Sequence, residues 1–169
     1  MIISYQGVES FKISQGELTL AVNPQSKMSA DITLFTAKRA VLAFAEASAG
    51  KAGFIIDGPG EYEVKDIFIK GFLDHTFLIT FEGIKLCFLG LEADKDEIED
   101  VDILFVHPSA YKSAVALEPA VMIPMDYDKN SLAQFLKEGG ERVEPIEKFV
   151  VKKKDLEGKE GEIIVLKEE

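Results

Sequence analysis

The residue types that hold metal ions or act as nucleophiles are scarce in this chain: His75 and His107 are its two histidines and Cys87 its one cysteine, against 30 aspartates and glutamates. A dinuclear zinc centre of the hydrolytic kind draws on several neutral imidazoles and a carboxylate converging on one face, because the metals must be held and still activate water. Two histidines cannot supply that. What remains open is a reduced, mononuclear site of His75, His107 and Asp126, with Asp74 beside His75, provided the fold brings those loop positions together. The plainer reading makes both histidines loop or core residues, with His107 ending a buried strand ahead of Pro108.

Other constellations are absent or structural. There is no Gly-x-Ser-x-Gly elbow, no Gly-x-x-x-x-Gly-Lys phosphate loop and no Gly-x-Gly-x-x-Gly opening a helix. Asp57, Glu61 and Glu63 belong to a turn and a strand, and the two glutamates share one strand face, where repulsion calls for solvent. The run from Glu92 to Asp100 carries six carboxylates without a turn glycine or loop-type ligand spacing, which suits an exposed short helix or turn. Cys87 sits inside Ile84-Lys85-Leu86-Cys87-Phe88-Leu89 with no cluster of cations beside it, as expected of a buried structural thiol.

The elements that must position these residues are mostly short strands. Ile2 to Tyr5, Ser10 to Ser14, Leu18 to Val22, Ala30 to Thr36, Phe54 to Ile56, Glu61 to Val64 and Ile67 to Lys70 read as strands in the first part, broken by Gln15-Gly16, Asn23-Pro24 and Asp57-Gly58-Pro59-Gly60. Lys38 to Ser48, rich in Ala and Leu and stopping near Gly50, reads as a helix. Thr76 to Phe81, Ile84 to Leu89, Val101 to Val106 and Ala120 to Pro124 continue the strands. Ser109 to Ala116 and Ser131 to Glu138, the latter closed by Gly139-Gly140, read as helices. Phe149 to Lys153 and Glu162 to Leu166 are expected as a last strand pair joined through Gly158. The alternation predicts a mixed sheet system covered by helices.

An internal echo points the same way. Ser10 to Pro24 and Thr76 to Gly90 are both hairpins of aromatic and aliphatic strands around a glycine turn. Each is followed by a strand opening on Asp-Ile, at Asp31-Ile32 and Asp102-Ile103. Two half-units, about residues 1–72 and 73–169, are each too small to cover their own sheet, so packing sheet to sheet in one domain spanning 1–169 is the expected solution.

Composition bounds the rest. A chain of 169 residues with 47% apolar and 29% charged residues can bury one substantial core. A net charge of −11 repels phosphate backbones and anionic lipid surfaces, so neither nucleic acid nor membrane is an expected partner. Lys152-Lys153-Lys154 is followed by acids and reads as a solvated strand end. One cysteine, no apolar run long enough to span a bilayer and no leader-like start make the cytoplasm the expected address.

Several strings in this chain resemble the metallo-β-lactamase superfamily, in particular its small bacterial Zn-dependent hydrolases. They are Ile3 to Ile13, Ala30-Asp31-Ile32, Leu89-Gly90, Val101 to Val106, Glu118-Pro119 with Ile123-Pro124-Met125, and above all Ile56 to Val64 (Ile-Asp-Gly-Pro-Gly-Glu-Tyr-Glu-Val). The resemblance spans nearly the whole chain. It implies an α/β fold, a four-layer αββα sandwich of two mixed sheets with active-site loops gathered at one edge.

It also implies where ligands should stand, and they do not stand there. Where active relatives carry Thr-His-x-His-x-Asp-His, this chain reads Thr36-Ala37-Lys38-Arg39-Ala40-Val41-Leu42. Gly-Asp becomes Gly90-Leu91, Pro-Met-His-Tyr becomes Pro124-Met125-Asp126-Tyr127, and the loop between Gly71 and Thr76 is short. The expectation is a degenerate member without the dinuclear site, with no catalytic residue and no cofactor, acting as a binding or structural module. Its partners would be a second copy, another protein or an unidentified small molecule. The alternative is a metal-dependent hydrolase with a rebuilt mononuclear site binding zinc or another divalent metal. A third reading places a small ligand in the vacated cleft, lined by Ala37, Leu42, Leu91 and Phe88.

Overall fold

The computed structural model describes residues 1–26, 28–36, 53–91, 93 and 95–169. The predicted helix over residues 38–48 lies outside them, as does everything beyond Thr36 in the stretch where relatives carry ligands.

Thirteen strands among the described residues build two sheets. They are β1 (Ile2–Tyr5), β2 (Phe11–Gln15), β3 (Leu18–Val22), β4 (Ile32–Leu34), β5 (Phe54–Ile56), β6 (Gly60–Val64), β7 (Ile67–Gly71), β8 (Phe77–Phe81), β9 (Ile84–Phe88), β10 (Ile103–Val106), β11 (Val121–Pro124), β12 (Phe149–Val150) and β13 (Glu162–Ile163). The first sheet has the order β12-β1-β2-β3-β4-β5 and the second β13-β11-β10-β9-β8-β7-β6. Both are mixed. The hairpin β2–β3 is antiparallel and β4 and β5 add in parallel; likewise β8–β9 is antiparallel and β10 and β11 add in parallel.

The alternation of side chains along each strand explains the layers. Phe11 and Ile13 on β2, and Ile67 and Ile69 on β7, turn inward, while Lys12 and Phe68 face out; one covered face gives a period of two. The strands β10 and β11 are apolar without a break, and β9 is so after Lys85, because both their faces are covered. Leu86, Phe88, Ile103, Phe105 and Ile123 enter the core between the sheets. Cys87, Leu104, Val106 and Met122 enter a second core against α1 (Tyr111–Val115) and α2 (Lys129–Gly139). Between the sheets Phe88 and Phe105 stack with ring centroids 4.1 Å apart, and Phe11 meets Phe105 edge-on at 4.7 Å. Helix α2 begins on an Asp128 cap, whose carboxylate accepts from the Asn130 and Ser131 amides, and ends at Gly140 in the left-handed region. Those bonds to the anionic form hold the Asp128 pKa below its ordinary value.

The two Asp-Ile strands share one local device. Asp31 accepts from the Thr19 amide through Oδ2 at 2.9 Å and donates its own amide to the Thr19 carbonyl at 2.8 Å. Asp102 does the same with Lys85, at 2.7 and 2.9 Å. Each carboxylate also pairs with a lysine, Lys65 and Lys153 respectively. An aspartate that opens a strand thus closes off the start of the neighbouring strand, in both sheets.

One expectation is overturned. Phe149 to Lys153 and Glu162 to Leu166 are not a strand pair: β12 lies antiparallel to β1 on the first sheet, and β13 lies parallel to β11 on the second. Each of these short strands thus forms the edge of a different sheet, and a 3₁₀ turn at Lys153–Leu156 lies between them in the chain. Among the described residues no helix is long and apolar enough to cross a membrane.

Candidate functional site

In sheets with parallel strands, the carboxyl ends of those strands are where loops can gather side chains around a ligand. Here β4, β9, β10 and β11 run into Thr36, Leu89-Gly90-Leu91, His107 and Met125, and these residues line one cleft of about 430 Å³. The short β7–β8 connection contributes Leu73, Asp74 and His75, and the β1–β2 connection contributes Glu9. Phe88, whose ring belongs to the core between the sheets, forms the floor's apolar part.

Glu9, His107 and Asp126 come together at this edge, each offering one donor atom, all within 4.8 Å of one another. His107 follows β10 in extended conformation before the Pro108–Ala110 turn, and its Nε2 stands 2.7 Å from Glu9 Oε1. Its Nδ1 stands 3.8 Å from Asp126 Oδ2. The hydrogen bond to Glu9 raises the His107 pKa above its ordinary value; partial burial opposes this, and the charges of Glu9 and Asp126 add to the rise.

The loops that carry the two carboxylates are tied to each other through one atom. The Val8 carbonyl accepts from the Asp126 amide at 2.6 Å and from the Tyr5 hydroxyl at 2.9 Å. Both residues hold left-handed backbone, Val8 at φ 55° and Asp126 at φ 49°, which side chains adopt only where the surroundings fix them. Tyr5 is buried and stacks on Tyr127 at 5.8 Å, and burial pushes its hydroxyl pKa up to about 12. Asn23, also left-handed at φ 45°, exchanges hydrogen bonds with Thr36 and donates to the Glu9 carbonyl, tying these two lining residues together. Ser10 Oγ, next to Glu9 in the chain, is buried without a hydrogen-bond partner among the described residues.

His75 and Asp74 line the same cleft but do not enter the three-donor cluster. His75 is exposed and left-handed at φ 65°, and the Asp74 carboxylate caps the Thr76 amide at 2.9 Å. Gly90 is required where it lies, since a Cβ there would sit 2.2 Å from the Asp74 carbonyl oxygen. The structure therefore divides the sequence-derived candidates: His107 and Asp126 meet, while His75 and Asp74 stand apart from them. Glu9 went unnoticed in the sequence, where a glutamate in a hairpin connection carries no signal of a partner nearly a hundred residues away. Ala37, Lys38, Arg39, Val41 and Leu42 lie outside the described residues.

A dinuclear zinc centre does not fit these residues: the described part of the cleft presents a single three-donor cluster with one imidazole, and the whole chain has two histidines. Cys87 adds no nucleophile, because it is fully buried on the helix side of β9 and burial pushes its pKa up to about 12.

No protein-family model and no curated protein sequence matches the chain. Solved structures do. A Thermotoga maritima protein named as a Zn-dependent hydrolase of the metallo-β-lactamase superfamily superposes with a TM-score of 0.78 at 24% identity, covering 98% of both chains. A Parabacteroides distasonis protein named as a metal-dependent hydrolase gives 0.59 at 14% identity, over 98% of this chain and 93% of that one. Igni18, a metallo hydrolase of the archaeon Ignicoccus hospitalis, gives 0.59 at 16%, over 89% and 99%.

Proposed function

We propose that this chain, which has the metallo-β-lactamase fold, is a degenerate member of that fold's superfamily that binds a small ligand in its cleft and does not hydrolyse it. The observation that carries the reading is the donor supply at the cleft: among the described residues one three-donor cluster with a single histidine, with His75 and Asp74 lining the same cleft outside that cluster. Hydrolysis on this fold by a dinuclear centre needs a nucleophilic water held and acidified between metals, and these side chains cannot hold two. The cleft itself persists. Leu91 stands exposed at its rim, and Phe88, Leu89 and Met125 give it an apolar wall beside the polar group of Thr36, Glu9 and His107. A largely apolar wall with a few convergent polar groups is the usual make-up of a small-molecule site.

The test is a metal count on protein purified without an affinity tag, together with turnover of chromogenic ester, phosphodiester and β-lactam probes with and without added zinc. Fewer than two metal ions per chain and rates equal to the buffer blank are expected. Two ions per chain, or turnover abolished by His107→Ala, would defeat the reading. A second reading, a metal-dependent hydrolase with a rebuilt mononuclear site, is favoured by the same Glu9–His107–Asp126 proximity. The Zn-dependent and metal-dependent hydrolase names of the structural neighbours support it too.

A further inference from the structure

We infer that Glu9, His107 and Asp126 form a site for one first-row divalent cation, with a donor set other than the one the fold's hydrolases use. The inference rests on the reading of the cleft as a binding site and names one thing it binds. The three donors come from three separate connections, β1–β2, the end of β10 and the end of β11, yet one atom from each falls within 4.8 Å of the others. A neutral imidazole with two carboxylates carries a formal charge of −2, which a divalent ion cancels, and a mixed nitrogen and oxygen set suits zinc, manganese or iron(II) over calcium or magnesium. Among the described residues neither Glu9 nor Asp126 pairs with a lysine or arginine; both face His107, so an ion at this site replaces the proton that the ring would otherwise hold between them.

Accepting an ion takes side-chain movement rather than a change of backbone. Adjacent donors around a tetrahedral zinc at about 2.0–2.1 Å stand roughly 3.3 Å apart. His107 faces Glu9 through Nε2 at 2.7 Å and Asp126 through Nδ1 at 3.8 Å, so one ion takes a single ring nitrogen, and donor atoms up to 4.8 Å apart draw together by as much as about 1.5 Å. Both carboxylates are partly exposed and can make those shifts, whereas the backbone beneath them is held by the doubly accepting Val8 carbonyl. Because Glu9 and His107 also line the cleft, a fourth position belongs to water or to an oxygen atom of a cleft ligand.

The experiment is a calorimetric and equilibrium-dialysis titration of chelator-stripped, untagged protein with Zn²⁺, repeated with Co²⁺ for its visible absorption. One equivalent is expected. Glu9→Gln and Asp126→Asn, close to isosteric, should each weaken binding by about tenfold or more. Glu63→Gln, on the exposed face of β6 and outside the cleft lining, should leave it unchanged, and the Co²⁺ spectrum should change in the first two variants alone. Circular dichroism verifies that each variant is folded. Absence of binding, or binding indifferent to both carboxamide variants, overturns the cation site and leaves the non-hydrolytic reading standing. One equivalent accompanied by ester turnover keeps the cation site and removes the non-hydrolytic reading.

Discussion

Replacing Asp102 with alanine should cost the fold about 3 kcal/mol, although the residue lies on neither wall of the cleft. Its Oδ2 accepts from the Lys85 amide at 2.7 Å, and both oxygens lie within 2.7 Å of Lys153 Nζ. Removing the carboxylate leaves a partly buried amide without its charged acceptor, worth about 1.5–3 kcal/mol. The ion pair adds at most about 1 kcal/mol, because the lysine side chain is half exposed. For a chain of this size, 1 kcal/mol moves Tm by roughly 2–4 °C, so a drop of about 6–12 °C is expected. Asp102→Asn separates the two contributions: its amide oxygen still accepts from Lys85, and the loss should shrink to about 1 kcal/mol. Calorimetry or urea unfolding of the three proteins gives the comparison. If Asp102→Ala lies within about 0.5 kcal/mol of the parent, or Asp102→Asn is as damaging as Asp102→Ala, the strand is not held by a side-chain acceptor for the Lys85 amide.

Asp31, the counterpart on the first sheet, gives a pH test. The Lys65 hydrogen bond and the Thr19 amide hold its folded pKa below the ordinary value. As pH falls, the unfolded chain therefore takes up the proton first, near pH 4, and the stability Asp31 adds above that point is lost on further acidification. The stability curve of Asp31→Asn should consequently be flatter than that of the parent below pH 4; parallel curves refute the assignment. Gly90→Ala should lower stability by about 1–3 kcal/mol, since the new Cβ meets the Asp74 carbonyl oxygen at 2.2 Å; an unchanged Tm would show that the two loops are not packed as described. With its pKa at about 12 and no exposed surface, the Cys87 thiol should leave a disulfide reagent unreacted at pH 8 until denaturant is added, and prompt reaction of the native protein would contradict its burial.

Much of the architecture was legible in local pattern. The apolar string Val101 to Val106 announced a strand, and the aromatic and aliphatic runs around glycine turns announced the hairpins β2–β3 and β8–β9. The exposure of Glu61 and Glu63 followed from like charges on one strand face. The proposal that the dinuclear centre is lost rests on counting histidines. The last two strands were less tractable. Phe149-Val150 and Glu162-Ile163 have strand-like composition, but composition does not name a partner, and each found a different sheet edge.

The cleft divides along the same line. By itself the sequence determined the donor supply, which strands could carry His107 and Asp126 to their carboxyl ends, and the recurrence of Asp-Ile in two strands, because these depend on residue type and on spacings of a few positions. Only the tertiary structure decided that Glu9 meets His107 while His75 stays apart. That choice follows from sheet stacking: the two sheets bring the β1–β2 connection against the ends of β10 and β11, and the Val8 carbonyl fixes the approach with two hydrogen bonds. Contacts between segments so far apart in the chain are set by how the sheets pack, which no local run of residues encodes.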